Sequence, residues 1–259
     1  MKIYIPSKAR ALNQKTWKGL TSKLRADTFI VVPPEDFGAY DHIYGIEHVL
    51  KGPERGIAPT RQFIFNHAKE NGFDKIVMLD DDLIFQRLRE DGKITNSSPD
   101  EVELAFAWLE AQLDEYAHAG FSVRFSDKGG GKENRVNGRM MHVLAYNLPK
   151  LPLGTSFLKG IYEPETFSMD DFNMTLQLLT QGVANIVSSE WRTSPSAGNA
   201  KGGASTWRKL ETQNASARNL QELFPHVVAL REKKNWQGVE GGQMIDVTVQ
   251  WRRSYGTAR

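Results

Sequence analysis

Three consecutive carboxylates, Asp80, Asp81 and Asp82, close the apolar run KIVML and are followed at once by a second one, LIF. If the extended conformation of the run persists to its end, Asp80 and Asp82 point one way and Asp81 the other. Two carboxylates on one face repel unless a cation lies between them. Carboxylate oxygens suit magnesium or manganese, the ions that usually accompany a phosphorylated ligand. The competing reading is a solvated acidic turn, and the flanking Val77, Leu79, Leu83, Ile84 and Phe85 count against it. A second acidic pair, Asp170 and Asp171, opens the stretch SMDDFNMTLQLLTQG. Here Ser168 and Asp171 have the spacing of a capping box, and acids in a first helical turn are stabilised by the backbone dipole, so capping alone would account for them.

Elements that could position these groups follow from the apolar pattern. Lys2–Ile5, stopped by Pro6, and Thr28–Val32, stopped by Pro33 and Pro34, read as strands around a helix in NQKTWKGLTSKL, which carries Trp17, Leu20 and Leu24 at helical spacing. A short strand at IEHVL leads to a helix over Pro59–Asn71, with Gly72 as its stop. After the acids come a polar loop, REDGKITNSSPD, and a helix opened by Ser98, Pro99 and Asp100 and closed by Gly120. MMHVLAYN reads as a strand, the Asp170 stretch as a helix ending at Gly182, WRKLETQNASARNLQELF as a further helix and MIDVTVQWRRSY as a closing strand. Strands alternating with helices predict an α/β, Rossmann-like fold with a largely parallel central sheet flanked by helices, whose ligands bind at the carboxyl ends of strands. With no internal repeat and no clear linker, residues 1–259 read as one domain.

Bulk properties narrow the chemistry. The chain has 259 residues, long enough for a sizeable core, and no cysteine, which excludes a disulfide framework, a thiolate zinc site and a cysteine nucleophile. A net charge of +2 is too small to indicate a nucleic-acid binder by itself. Cations are nevertheless clustered. Arg124, Lys128, Lys132, Arg135 and Arg139 surround one glycine-rich loop, Lys201, Trp207 and Arg208 lie in or beside another, and Arg252 and Arg253 stand near the end. A solvated surface role is the plain alternative for each. The N-terminus enters a strand pattern without an apolar leader and no window has the length of a membrane helix, so a soluble, cytoplasmic protein is expected.

The motif MLDDDL resembles the DxD motif of glycosyltransferases with the type A fold, in which acids hold a divalent cation against the diphosphate of a nucleotide sugar. By that resemblance Asp82 is a direct metal ligand, Asp80 binds the metal through water or meets the ribose, and Asp81 belongs to the nucleotide-sugar site. The Asp170 stretch is similar to the acidic helix start of inverting members, which implies Asp171 as the base that takes the proton of the acceptor hydroxyl, beside Asp170. IPSKAR, after the first strand, implies Pro6, Ser7, Lys8 and Arg10 as uridine or phosphate contacts, and GIAPTRQ implies Arg61 as a diphosphate or base contact. No late histidine ligand can be placed, since His226 lies in the apolar segment LFPHVVAL.

Taken in order along the chain, YIPSKAR, GIAPTRQFI, MLDDDL, MDDFNMTLQLLTQG, NAKGGASTWR and VQWRRSY resemble the phage TET-associated glycosyltransferases. This resemblance implies transfer from a UDP-sugar or similar donor to the hydroxyl of 5-hydroxymethylcytosine in double-stranded DNA, inside the infected host cell. Residues 1–90 would then form the nucleotide-sugar half and residues 91–259 the acceptor half. The basic residues above would contact phosphates, and Trp207 or Tyr146 could stack on an extruded base. A glycan or protein acceptor, a nucleotidyltransferase, a metal-dependent nuclease and an inactive DNA-binding protein of the same fold remain as competing readings.

Overall fold

The computed structural model describes residues 1–124, 133–195, 209–233 and 243–257. Its elements in chain order are β1 (Lys2–Pro6), α1 (Lys15–Gly19), α2 (Ser22–Arg25), β2 (Thr28–Val32), α3 (Phe37–Tyr44), β3 (Val49–Lys51) and α4 (Ile57–Glu70). Then follow β4 (Lys75–Leu79), β5 (Leu83–Leu88), β6 (Ile94–Asn96), α5 (Pro99–Gln112), β7 (His118–Val123), β8 (Arg135–Val136) and β9 (Val143–Asn147). The chain closes with α6 (Asp170–Thr180), β10 (Asn185–Pro195), α7 (Leu210–Leu223), β11 (Val228–Lys233) and β12 (Met244–Val249).

A 10-stranded sheet carries the fold in the order β3-β2-β1-β4-β9-β7-β10-β5-β6, with β8 beside β10, and β11 and β12 form a separate hairpin. Strands β3, β2, β1 and β4 are parallel. β9 runs against both β4 and β7, β10 runs with β7, and β5 runs against β10. The sheet is thus mainly parallel, with its first reversal at β9, next to the strand that delivers the acids.

Central strands are apolar at successive positions because both faces are covered. Ile3 and Ile5 of β1, Val77 and Leu79 of β4, and Val143 and Ala145 of β9 pack on one face with Val102, Phe106 and Leu109 of α5. Tyr4, Ile76, Met78, Leu144 and Tyr146 point to the other, against Ile64, Phe65 and Ala68 of α4 and Met174 and Leu178 of α6. Burying one such side chain contributes about 1.5–3 kcal/mol. Among the described residues no helix is long and apolar enough to cross a membrane.

Several expected elements take another form. The helix expected in NQKTWKGLTSKL is two short helices, because Thr21 caps the second by accepting from the Leu24 amide. Part of the supposed polar loop after the acids is strand β6, paired to β5. The helix opened by a Ser98–Glu101 capping box ends at Gln112, not at Gly120. Gly120 sits inside β7, where an added Cβ would lie 2.5 Å from the Val143 carbonyl oxygen, so the glycine serves close strand packing.

Candidate functional site

The acids form the turn between β4 and β5, at the carboxyl end of β4. Thr16, buried at the start of α1, fixes that turn: its hydroxyl donates to the Asp80 carbonyl oxygen (2.5 Å) and accepts from the Leu83 amide (2.9 Å), while its own amide donates to the Asp81 carbonyl (3.2 Å). Nothing in the sequence marks Thr16 for this role, which depends on a contact across 64 residues.

The three carboxylates part company. Asp81 is buried; Ser7 Oγ donates to its Oδ2 at 2.5 Å and Arg10 Nη1 to its Oδ1 at 2.5 Å, so the segment after β1 is clamped onto the acid turn. Burial raises the Asp81 pKa against the opposing pull of Ser7 and Arg10. Asp80 reaches Arg61 Nη2 through Oδ1 (3.2 Å) and His142 Nδ1 through Oδ2 (2.6 Å). Asp82 meets Arg10 Nη1 at 3.4 Å, and burial together with the Asp80 charge pushes its pKa up. Asp80 and Asp82 share a region and repel, but the turn also brings Asp81 and Asp82 onto the same Arg10 guanidinium, so the strict alternation expected of an extended run does not hold.

Arg61, 5% exposed, projects from the first turns of α4 and lies between two acidic segments, with Nη1 2.5 Å from Asp170 Oδ2. Burial works against its charge, but Asp170, Asp80 and Asp171 outweigh it and hold the guanidinium firmly protonated. Burial raises Asp170 to about 6, opposed by Arg61 and reinforced by Asp171, so the pair is ionised at neutral pH. The capping-box part of the explanation for the second acidic pair fails, since the helix N-cap is Met169 with no side-chain cap and Ser168 Oγ donates to Gln213 instead (2.9 Å), while both acids do lie in the first turn, where the backbone dipole favours them. The Asp171 carboxylate accepts no hydrogen bond from any described residue, yet its charge acts on Arg61, His142 and Arg139.

His142 is the main residue that sequence reasoning misses, because MMHVLAYN looks like uninterrupted strand. Its φ of 66° places it just before β9, and its imidazole is held by Asp80. Burial disfavours the imidazolium, but the Asp80 hydrogen bond and the charges of Asp80, Asp171 and Asp82 prevail and raise its pKa. Among the described residues the other non-glycine positions with positive φ are Ala9, beside Arg10, and Asn137. Such costly backbone is commonly retained where a site requires it.

Other expected positions fall as follows. Pro6 ends β1 and is buried, and Lys8 turns outward to Glu35 at 2.9 Å. Tyr146 is a core residue, stacked on His118 at 4.3 Å between ring centroids, and so is unavailable as a base platform. Lys128, Lys132, Lys201, Trp207 and Arg208 lie outside the described residues. Arg135, Arg139, Arg252 and Arg253, far apart in sequence, converge with Phe121 and Trp251 on a cavity of about 920 Å3, whereas Arg124, just past β7, is not in its lining. Arg139 lies 4.0 Å over the Phe172 ring, and Phe172 packs on Trp251 at 5.4 Å.

The donor set suits a hard divalent cation, since Asp82 keeps a half-buried charge that Asp80 repels and that Arg10, at 3.4 Å, and His142 only partly offset. Among the described residues no group of three or more acidic or histidine side chains is already gathered for a metal. Asp82 and Asp80 would therefore hold such an ion together with phosphate and water, as magnesium and manganese commonly permit.

A mainly parallel sheet ending in an acid turn, clamped by the segment after its first strand and faced by a second acidic helix start, gathers carboxylates and guanidiniums at the carboxyl end of β4, where such sheets bind ligands, and the family match makes the protein a glycosyltransferase. The chain belongs to the TET-associated glycosyltransferase family, whose sequence profile matches residues 1–193. No match is found among curated proteins. Similar solved structures include a nucleotide-diphospho-sugar transferase from Desulfovibrio desulfuricans G20 (13% identity, 72% of this chain and 80% of that one, TM-score 0.46). Others are mannose-1-phosphate geranyltransferase from Thermus thermophilus (11%, 87% and 64%, 0.38) and A197 from STIV (13%, 80% and 92%, 0.36). These are distant likenesses, and the family assignment stands on the profile match.

Proposed function

We propose that the protein transfers a sugar from a UDP-sugar to the hydroxyl of 5-hydroxymethylcytosine in duplex DNA, as a step of phage DNA modification in the infected cell. The observation that carries this reading is Asp171: an uncapped carboxylate whose charge is felt both by Arg61 and His142, which hold Asp80, and by Arg139, which lines the arginine cavity. One acid thus links a donor region to an acceptor region.

In this reading, the loop holding Ser7 and Arg10 receives the nucleotide, and Asp82 with Asp80 holds manganese or magnesium. Such an ion neutralises charge developing on the departing diphosphate. Asp171 accepts the proton of the attacking hydroxyl, with Arg61 and Asp170 fixing the helix start from which it projects. Arg10 and Arg61 act by orienting the carboxylates, which refines their expected role as direct donor contacts. The family's name supports a TET-linked acceptor, and the exposed Arg252 and Arg253 of the cavity, without an ion pair among the described residues, favour a polyanion over a neutral glycan.

Incubation with hydroxymethylated duplex, manganese and a panel of nucleotide sugars, followed by nucleoside mass spectrometry, tests the proposal. A nucleoside heavier by one sugar residue is expected; unchanged 5-hydroxymethylcytosine across the panel would overturn it.

A further inference from the structure

We propose that the arginine-lined cavity receives the acceptor nucleotide itself, swung out of the duplex, with Trp251 as the platform for its base and Arg252 and Arg253 on the flanking phosphates. This rests on the proposed transfer to hydroxymethylated DNA and adds where and how the acceptor is held.

Size is the first argument. A cavity of about 920 Å3 is in the range of pockets that enclose small ligands and can take one nucleotide, and enzymes that do chemistry on a base in a pocket take it out of the stack. Wall chemistry is the second. A nucleotide offers a flat π-face and charged phosphates, and the lining supplies an indole and several guanidiniums. Among the described residues Arg139, Arg252 and Arg253 make no ion pair, and Arg252 and Arg253 are exposed. Arg252 and Arg253 are left for an external anion, whereas Arg139 also feels the charges of Asp171 and Asp246.

Position is the third. The half-buried Trp251 ring is braced by Phe172, which immediately follows Asp171, so the platform is tied to the helix turn that carries the proposed base. Arg139, over the same Phe172 ring, bridges the cavity and that turn. Asn137, also in the lining, has a buried side-chain Oδ1 with no hydrogen-bond partner among the described residues, an acceptor of the kind that suits the exocyclic amine of cytosine. The segment Gln250–Arg253 lies beyond the region matched by the family profile, although the motif VQWRRSY already places Arg252 and Arg253 among the expected phosphate contacts.

The test is a duplex with 2-aminopurine at the target position, whose fluorescence rises when the base leaves the stack, read beside transfer kinetics on the hydroxymethylated duplex. Wild type should give the rise; Trp251→Ala should lose it and about tenfold or more in kcat/KM, while Trp251→Phe should restore most of both. Manganese-dependent donor binding by each variant checks that it is folded. Arg252→Ala and Arg253→Ala, at exposed positions, should each lower the salt dependence of DNA affinity by about one unit of slope. Full fluorescence rise and full kcat/KM in a folded Trp251→Ala, or unchanged salt slopes, would overturn the inference. A wild type that transfers sugar to DNA with flat fluorescence overturns it alone. A wild type with no transfer to DNA overturns the proposed function and this inference with it.

Discussion

At the acid turn, Asp80, Asp81, Asp82 and Asp170 meet Arg10 and Arg61, and each of these charges has an opposite partner within 3.4 Å. At the cavity, Arg139, Arg252 and Arg253 have no carboxylate partner among the described residues. The contrast separates two kinds of charged site. Where opposite charges are folded against one another, the geometry is set before any ligand arrives, and removing one partner strands the rest at high cost. Where one sign is left over, the complementary charge must come from outside the chain. The first arrangement suits a donor site that must be rigid; the second suits capture of a polyanion.

The most severe break in this pattern is expected at the group linking the two regions. Asp171→Asn should lower the transfer rate by about 10²–10⁴-fold while leaving manganese-dependent donor binding in place, as steady-state kinetics and titration calorimetry would read. A near-normal rate would remove Asp171 from the chemistry. Arg61→Met tests internal compensation: it leaves Asp170 buried and unpaired and Asp80 with one partner fewer, and should cost about 3–5 kcal/mol in denaturant unfolding.

A pH series sharpens the same point. Asp170 is raised in the folded protein to about 6, so its contribution to stability is complete below the ordinary carboxylate pKa and is lost as pH rises through about 6. Wild type should therefore lose on the order of 2 kcal/mol relative to Asp170→Asn between pH 4 and pH 7, measured by urea unfolding. A flat difference would mean the buried pair does not titrate in that window. The smallest effect is expected at Lys8, which the structure turns to the exposed Glu35. Lys8→Ala should change stability by less than about 1 kcal/mol and donor affinity by no more than about twofold, and a large loss of donor binding would restore Lys8 to the nucleotide contacts.

Legibility in the sequence follows the apolar pattern. β1, β2 and β4 and helices α4 and α6 are readable because buried strands and one-sided helices impose a period and are punctuated by proline or glycine. β10 is not, because it buries Ser188, Ser189, Arg192 and Thr193, residues that look like surface until their partners are known. β7 reads as a helix end because the reason for Gly120 is a neighbouring strand, not a local turn. In the site, the acids themselves are legible as three adjacent charges. Their partners Thr16, Arg61 and His142 come from elements up to 64 residues away, and only the tertiary fold unites them. Trp251 stands in the motif VQWRRSY, but its contact with Phe172 and its place in the cavity are not legible from its own neighbours along the chain.

Hydrogen exchange followed by mass spectrometry can observe both regions at once and so tests their division of labour most directly. Nucleotide sugar with manganese should protect the backbone around Ser7–Arg10 and Asp80–Asp82, while hydroxymethylated duplex should protect Arg135–Arg139 and Gln250–Arg253. Donor protection appearing at the arginine cavity, or DNA protection confined to the acid turn, would contradict the account.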